Sequence, residues 1–230
     1  MTPAVPGVLL AENGPDSFIW WAWVGDHLDE IWERTVQHVQ LTVIALVVGF
    51  AVSTVLALIA LRFRRTYTPI TGFAGVLYAI PSLALFAFLV PITGLSLLTA
   101  EIGLVSYTLL ILVRNMVAGI DGVPAAVREA ADGMGYTPWR RFVAVDARLA
   151  TPTIVAGVRI AAVTTVGLVT VTALIGQGGY GALINDGLSR SFNTPIVVGA
   201  ALSILLAMAV DLLLVGAERL LTPWARAGRR

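Results

Sequence analysis

The 230-residue sequence lacks cysteine altogether, which excludes disulfides, thiolate metal sites and thiol nucleophiles. It also lacks lysine, because all 15 basic residues are arginine. A phosphate-binding P-loop needs its lysine, so the chain cannot be a standard nucleotide hydrolase by itself. Charged residues make up only 13% of the chain, whereas a soluble domain has roughly 25%. Together with 57% hydrophobic residues, this composition predicts an integral membrane protein.

Long apolar runs alternate with polar segments along the chain. Five runs reach the roughly 17 to 25 residues that a membrane-spanning helix needs, and they cover residues 39–61, 69–91, 102–120, 153–175 and 195–217. The sequence therefore predicts an all-α integral membrane fold with five transmembrane helices. Pro81 and Pro91 interrupt the second run, which predicts a kinked helix that either lines a transport pathway or bends for structural reasons alone.

Arginine is concentrated in the segments that follow the first, third and fifth runs. These arginines are Arg62, Arg64, Arg65, Arg128, Arg140, Arg141, Arg148, Arg219, Arg226, Arg229 and Arg230. The positive-inside rule places such segments in the cytosol, so we expect the N-terminus outside the cell and the C-terminus inside. This topology divides the chain into an N-terminal external segment (1–38), a transmembrane domain (39–217) with a cytoplasmic loop at 121–152, and a basic cytoplasmic tail (218–230).

The N-terminal segment has the composition of a membrane interface. Trp20, Trp21 and Trp23 precede an acidic cluster, and tryptophan is enriched where a membrane meets water. Apolar residues then recur at helical spacing up to residue 39. We expect an amphipathic interfacial helix that lies on the membrane and runs into the first span; the alternative is a plain extension of that span. His27 and His38 are expected at the surface, since no further histidine or cysteine exists to complete a metal site.

Three ionisable residues lie inside the apolar runs, namely Arg114, Arg159 and Asp211. At about 1.5 Å per residue, each lies roughly 9 to 10 Å from the cytoplasmic end of its own span. A charge inside a membrane is costly, and an ion pair would recover part of that cost. Our hypothesis is that Asp211 pairs with Arg114 or Arg159 in a polar layer near the cytoplasmic mouth. The alternative is that the arginines snorkel to the interface and Asp211 is hydrated.

A glycine-rich segment, GQGGYG, follows the fourth run. Gly176, Gly178 and Gly181 match the dinucleotide-binding pattern G-x-G-x-x-G, but here the pattern follows a membrane helix rather than a strand. No acidic residue stands about twenty positions further on, and the topology places the segment outside the cell, so we reject nucleotide binding there. Together with Gly179, these glycines are candidates for a flexible external gate. An ordinary turn is the alternative.

A long polar interval covers residues 128–152. Pro124 can start a helix that Gly133 and Gly135 end, and a second short helix can begin at Thr137, with Pro138 in its first position, and run to residue 145. A short amphipathic helix with exposed aromatic and apolar positions suits insertion into a groove on a partner. We interpret this cytoplasmic loop as a docking element for a second protein.

The same loop carries a known motif. Glu129, Ala130 and Ala131, with Gly135 six positions after the glutamate, resemble the EAA loop of permease subunits in bacterial ABC importers. The resemblance covers most of the chain from about residue 41 and includes Arg114-Asn115, Ala156-Gly157, the GQGGYG segment and the terminal DLLLVGAERLLTP. Together these features look most like the osmoprotectant subfamily, which imports glycine betaine, carnitine, choline and proline-type solutes. The family pattern usually continues to Ile-x-Leu-Pro, whereas residues 145–148 here read VDAR.

The resemblance implies a division of labour among several proteins. Separate ATPase subunits would bind ATP and Mg²⁺, so this chain would bind no cofactor and would be a transport subunit of the inner membrane rather than an enzyme. An extracytoplasmic binding protein would capture the solute, and a second permease subunit, identical or related, would face this one across the pathway. Glu129, Ala130, Ala131 and Gly135 would belong to the coupling helix that sits in the ATPase groove.

Two other functions stay open. One is an importer permease for another small solute, such as an amino acid. The other is an autonomous secondary transporter, which would need its own ion-coupling carboxylate inside the membrane, and Asp211 is the one candidate.

Overall fold

The computed structural model describes residues 17–223, and the regular secondary structure within that range is entirely helical. Ten α-helices follow in order: α1 (Trp21–Asp26), α2 (Leu28–Arg62), α3 (Tyr67–Ala79), α4 (Ser82–Thr93), α5 (Leu97–Asp121), α6 (Ala125–Gly133), α7 (Pro138–Arg141), α8 (Ala147–Val171), α9 (Tyr180–Arg190) and α10 (Asn193–Leu221). Short 3-10 turns occupy Arg64–Thr66 and Thr172–Ile175, and a π-helical turn, Phe142–Asp146, joins α7 to α8. Arg226, Arg229 and Arg230 of the predicted basic tail lie outside the described residues.

The long helices coincide with the predicted apolar runs. Four stretches within residues 17–223 are long and apolar enough to cross a membrane, namely α2, α5, Pro138–Ile175 and α10. Helices α3 and α4, with the turn before them, pass the same test together but are bent by 97° at their junction. Each predicted run falls within one of these stretches, so the described part of the chain has four candidate spans, or five if the bent pair is one span.

The bend between α3 and α4 lies at the Ile80-Pro81 step. Proline lacks a backbone N–H and disfavours the helical conformation of the residue before it, and both residues are extended here, with ψ angles of 128° and 133°. The Tyr107 hydroxyl on α5 donates to the Ile80 carbonyl oxygen. This hydrogen bond replaces the one within the helix that the carbonyl loses at the break. Pro91 lies within α4, so only one of the two prolines breaks the helix.

The N-terminal segment consists of a short helix and the first part of a long one. The helical hydrogen bonding is interrupted at His27, and α2 then runs from Leu28 to Arg62 without a break. The segment from residue 28 therefore runs directly into the helix of the first span, as expected. The reason is tertiary packing: Gln37 and His38 on this segment bond to the chain that follows α8. The short helix α1, with Trp21 exposed, is the separate element.

Helix α5 lies at the centre of the bundle, since it has more buried residues than any other described helix. Small residues allow its neighbours to approach closely, as is common between membrane helices. A Cβ atom on Gly49 of α2 would lie 2.1 Å from Thr108 Oγ1 of α5. A Cβ atom on Gly157 of α8 would lie 2.5 Å from Asn115 Cβ. Helix α5 is thus held between α2 and α8.

Contacts between helix termini define the two ends of the bundle. Arg64, just after α2, forms an ion pair of 2.6 Å with Asp121 at the end of α5. Gly119 of α5 contacts Ala150 near the start of α8. We call this the arginine-rich end. At the opposite end, the backbone N–H of Trp20 donates to Thr194 Oγ1 at the start of α10, at 2.8 Å.

Candidate functional site

Helix α6 forms the first half of the polar loop at the arginine-rich end. Pro124 is its N-cap and Gly133 its last residue. Gly135 then adopts a φ of +79°, a left-handed conformation that glycine accepts without steric cost. The helix bounds agree with the sequence prediction.

The second half of the loop differs from the prediction. Thr137 caps α7, its side chain accepting from the Arg140 N–H at 3.4 Å, but α7 covers only four residues. Instead of continuing as a separate helix to residue 145, the chain enters the π-helical turn Phe142–Asp146 and continues directly into α8. A π-helical turn accommodates an extra residue within a helix and is frequent at functional sites.

The EAA residues divide between two faces of α6. Glu129 and Ala130 are exposed, whereas Ala131 is only 1% exposed. Met134 and Trp139 are 70% and 72% exposed close by in the chain. Large apolar side chains that are exposed on a protein surface mark interaction sites. We therefore define a docking surface that consists of Glu129, Ala130, Met134, Gly135 and Trp139.

Of the three ionisable residues inside the apolar runs, two form an ion pair and the third, Arg114, does not take part in it. Arg159 Nε and Nη2 donate to the two carboxylate oxygens of Asp211 at 2.8 and 3.1 Å, and Arg159 Nη1 lies 3.5 Å from Glu218. This geometry is the bidentate arrangement that favours arginine. Arg114 is exposed on α5 and forms no ion pair with any residue from 17 to 223. Of the two partners considered for Asp211, the structure selects Arg159, which ties α8 to α10.

The four candidate gate glycines lie in and just after a tight turn at the opposite end. Gly176, Gly178 and Gly179 have positive φ angles of 79°, 134° and 48°, which side chains other than glycine adopt only with strain. Gly181 lies in the first turn of α9, where a Cβ atom would stand 2.0 Å from the Thr170 carbonyl oxygen. The turn therefore requires glycine both for its backbone and for its close contact with α8.

Two side chains of α2 hold this turn. The Gly179 N–H donates to Gln37 Oε1 at 3.1 Å, and the Tyr180 N–H donates to His38 Nδ1 at 3.3 Å. His38 Nε2 lies 3.0 Å from the Val166 carbonyl oxygen of α8. The expectation that His38 lies at the surface is wrong, because its side chain is fully buried. Buried polar groups need partners, and the glycine turn supplies one that the sequence does not reveal.

A signal for this contact was nevertheless present in the sequence. Arg34, Gln37 and His38 are spaced three and four residues apart on one helical face, directly before a long apolar run. The apolar residues of this segment are the more exposed ones, so the polar face is the one that packs inward. His27 is half-buried and stacks on Trp23 with a centroid distance of 4.2 Å. Within residues 17–223, no three His, Asp or Glu side chains form a group that could hold a metal ion.

The family of the chain follows from comparison with known proteins. Residues 45–224 match the model of the family described as binding-protein-dependent transport system inner membrane component. That range covers most of the chain, so the protein belongs to this family of transport permeases of the inner membrane.

Individual relatives agree with the predicted resemblance. The chain is similar to the osmoprotectant import permease protein OsmW of Salmonella typhimurium, with 35% identity over 82% of this chain and 90% of the relative. It is 34% identical to the choline transport system permease protein OpuBB of Bacillus subtilis, over 84% of this chain and 89% of the relative. Among solved structures, a chain of the MetNI methionine ABC transporter in an inward-facing conformation matches with a TM-score of 0.67 and 20% identity, covering 84% of this chain and 94% of that chain. The resemblance to importer permeases of the osmoprotectant type is thereby confirmed.

Proposed function

We propose that the chain is the permease subunit of an ATP-driven importer for a compatible solute such as glycine betaine, choline, carnitine or proline. The observation that carries the proposal is the docking surface, where Glu129, Ala130, Met134 and Trp139 are exposed while Ala131 is buried. Two of the chain's relatives, an osmoprotectant import permease and a choline transport system permease, support the choice of solute. Separate ATPase subunits would bind ATP and Mg²⁺ and receive α6 in a groove.

The proposed topology has five spans, with the N-terminus outside and the arginine-rich end in the cytosol. The bent pair α3 and α4 would count as the second span, and the positive-inside rule sets the orientation. The segment 1–38 would then lie outside or at the outer surface, residues 39–217 would form the transmembrane domain with the coupling loop at 121–152, and residues 218–230 would be cytoplasmic.

Introduced cysteines test this topology directly. Because the chain has no cysteine of its own, a single introduced cysteine is the only thiol that a maleimide can label. We expect Ser189→Cys to react with a membrane-impermeant maleimide in intact cells, and Arg65→Cys, outside the docking surface, to react only after the membrane is opened. Both positions are exposed, so accessibility within the fold does not separate them. Labelling of Arg65→Cys in intact cells would show that the topology is inverted.

The remaining partners follow from the same proposal. A second permease subunit, identical or related, would pack against this one about a two-fold axis with the pathway between them, and an extracytoplasmic binding protein would deliver solute at the opposite end. Arg159 and Asp211, with Arg114 facing outward from α5, would form a polar layer toward the cytoplasmic mouth. The turn formed by Gly176, Gly178, Gly179 and Gly181 would act as the external gate.

The docking surface is tested by reversing its charge. We expect Glu129→Arg to reduce solute uptake to background, because an exposed carboxylate that pairs with a basic partner group would become repulsive. The variant should still insert into the membrane, since Glu129 is exposed and forms no hydrogen bond or ion pair with any residue from 17 to 223. The measurements are uptake in cells and the amount of ATPase that copurifies with the permease.

Asp29→Arg is the matched control for Glu129→Arg. It makes the same change of charge at an exposed position on α2, at the opposite end of the bundle, so the ATPase should still copurify with it. Normal uptake with Glu129→Arg would contradict the docking role. Transport by the purified chain in vesicles without any ATPase would instead favour the autonomous secondary transporter.

A further inference from the structure

Asp146 occupies an unusual place in the loop at the arginine-rich end. It is the last residue of the π-helical turn and immediately precedes α8. Its exposure is only 4%, and no other aspartate or glutamate among residues 17–223 is so little exposed as a whole residue. A buried carboxylate is stable only when it is paired and hydrogen-bonded, so its partners decide what it does.

Two arginines surround the Asp146 carboxylate. Arg128 Nε on α6 donates to Asp146 Oδ1 at 3.0 Å, and Arg141 Nε on α7 lies 3.7 Å from Oδ2, an ion-pair distance too long for a hydrogen bond. Arg141 Nη1 also donates to Asp132 on α6. These four residues, Arg128, Asp132, Arg141 and Asp146, are called the loop clamp below.

The loop clamp also reaches the bundle beyond α8. Arg128 Nη2 donates to the Ile120 carbonyl oxygen in the last turn of α5. One arginine side chain therefore connects α6 to the end of α5 and to the start of α8. Helices α5 and α8 are the central pair of the bundle, packed together through Gly119, Ala150 and Gly157. The loop clamp is thus the ionic connection between the docking surface and the two central helices.

Burial of the Asp146 carboxylate makes its ion pair with Arg128 hard to break. Removing one partner of a buried ion pair leaves an uncompensated charge, so the pair resists opening. The exposed pair of Arg64 and Asp121 at the same end has side-chain exposures of 56% and 43%, and exposed pairs of this kind contribute little. The Arg64–Asp121 pair links α5 to the turn after α2 and does not touch α6. It therefore offers a natural comparison with the loop clamp.

We propose that Asp146 is a positioning residue that transmits movement of the docking surface to α5 and α8 through the loop clamp. The inference rests on the proposed function, because it requires an ATPase that moves α6. Without the clamp, α6 would still bind the ATPase but would move independently of the central helices. The Asp146 carboxylate thus couples ATP hydrolysis to transport without touching solute or nucleotide.

The test uses the complete transporter, with ATPase and binding protein, in proteoliposomes. Import of radiolabelled glycine betaine and hydrolysis of ATP are measured in the same vesicles for Asp146→Asn and Arg128→Gln. Both variants break the same contact and should lower the solute imported per ATP by about fivefold or more, the usual range for loss of an energetic coupling. The double variant should show the same ratio as either single variant. Arg64→Gln, the matched control at the exposed pair, should keep the ratio of the unaltered complex.

The outcomes separate transmission from a structural role. A merely structural defect would lower import and hydrolysis together and leave their ratio unchanged, which would overturn the proposal. Loss of the ATPase from the purified complex would overturn it as well, because the clamp would then serve docking. If Asp146→Asn does not insert into the membrane, the proposal is tested by the ratio of solute imported to ATP hydrolysed with Arg128→Gln alone. Failure of the proposed function is distinguishable, since the unaltered complex would then import no glycine betaine at all.

Discussion

Gly181→Ala is expected to destabilise the protein strongly and to abolish transport, although it adds a single methyl group. The new Cβ atom would stand 2.0 Å from the Thr170 carbonyl oxygen and 2.6 Å from the Thr170 Cα atom. These are backbone atoms of α8, so no side-chain rotation relieves the clash. Overpacking costs typically about 1 to 3 kcal/mol, and more where the backbone must shift. The gain in helix propensity, about 1 kcal/mol, does not offset this.

The effect of Gly181→Ala is measured as the thermal unfolding midpoint of the detergent-purified chain and as solute uptake in cells. Gly167→Ala is the control, because Gly167 is also helical but has no neighbouring atom within 4 Å of an added Cβ. We expect the midpoint of Gly167→Ala to stay close to that of the unaltered protein. A Gly181→Ala midpoint that is equally unchanged would show that α9 moves away from α8 without cost, and the close contact would then lose its importance.

Reversing one charge of the Arg159–Asp211 pair should prevent stable insertion, and reversing both should restore it in part. Arg159→Asp would place a carboxylate beside Asp211, which lies inside the fifth apolar run, and beside Glu218 just after that run. Asp211→Arg would set two arginines against the single remaining carboxylate of Glu218. Like charges that are poorly solvated repel strongly. The double reversal returns an opposite pair to the same position on α8 and α10.

This prediction is checked by the yield of monodisperse protein after extraction from the membrane. The comparison is the same reversal at Asp186 and Arg190, an ion pair of 2.7 Å in which the arginine is 70% exposed; there the single and double reversals should all behave like the unaltered protein. If the double reversal at Arg159 and Asp211 yields no more protein than either single reversal, the two residues do not stabilise the protein as a pair.

Much of the fold could be predicted from the sequence because membrane helices are encoded locally. An apolar run of sufficient length must satisfy its own backbone groups, and a helix does so within the run itself. Pro81 likewise breaks its helix through its own ring and missing N–H. The bounds of α6 follow from Pro124 and Gly133 for similarly local reasons.

The buried polar contacts could not be predicted, because their partners lie far apart in the chain. His38 bonds to residues 128 and 142 positions away, and the spacing of Arg34, Gln37 and His38 shows only that they share a helical face, not which part of the chain packs against that face. Asp146 lies in the segment where the usual Leu-Pro is absent, and its burial depends on how α6 folds back onto α8. The alternatives for Asp211 were equally open, since the depths of Arg114 and Arg159 are similar and only the packing of α8 on α10 distinguishes them.

The contacts of His38 restrict which side chains position 38 can accept. The Tyr180 N–H can only donate and the Val166 carbonyl can only accept, so the neutral ring must carry its hydrogen on Nε2 and present a bare Nδ1. Only a side chain that donates and accepts at once can replace it without leaving one of these two backbone groups without a hydrogen-bond partner. Among the other side chains of comparable reach, the amide of glutamine has that double character, whereas arginine only donates and glutamate, when ionised, only accepts. Natural variation at this position should therefore be confined to histidine and amide side chains wherever the glycine turn beside it is kept.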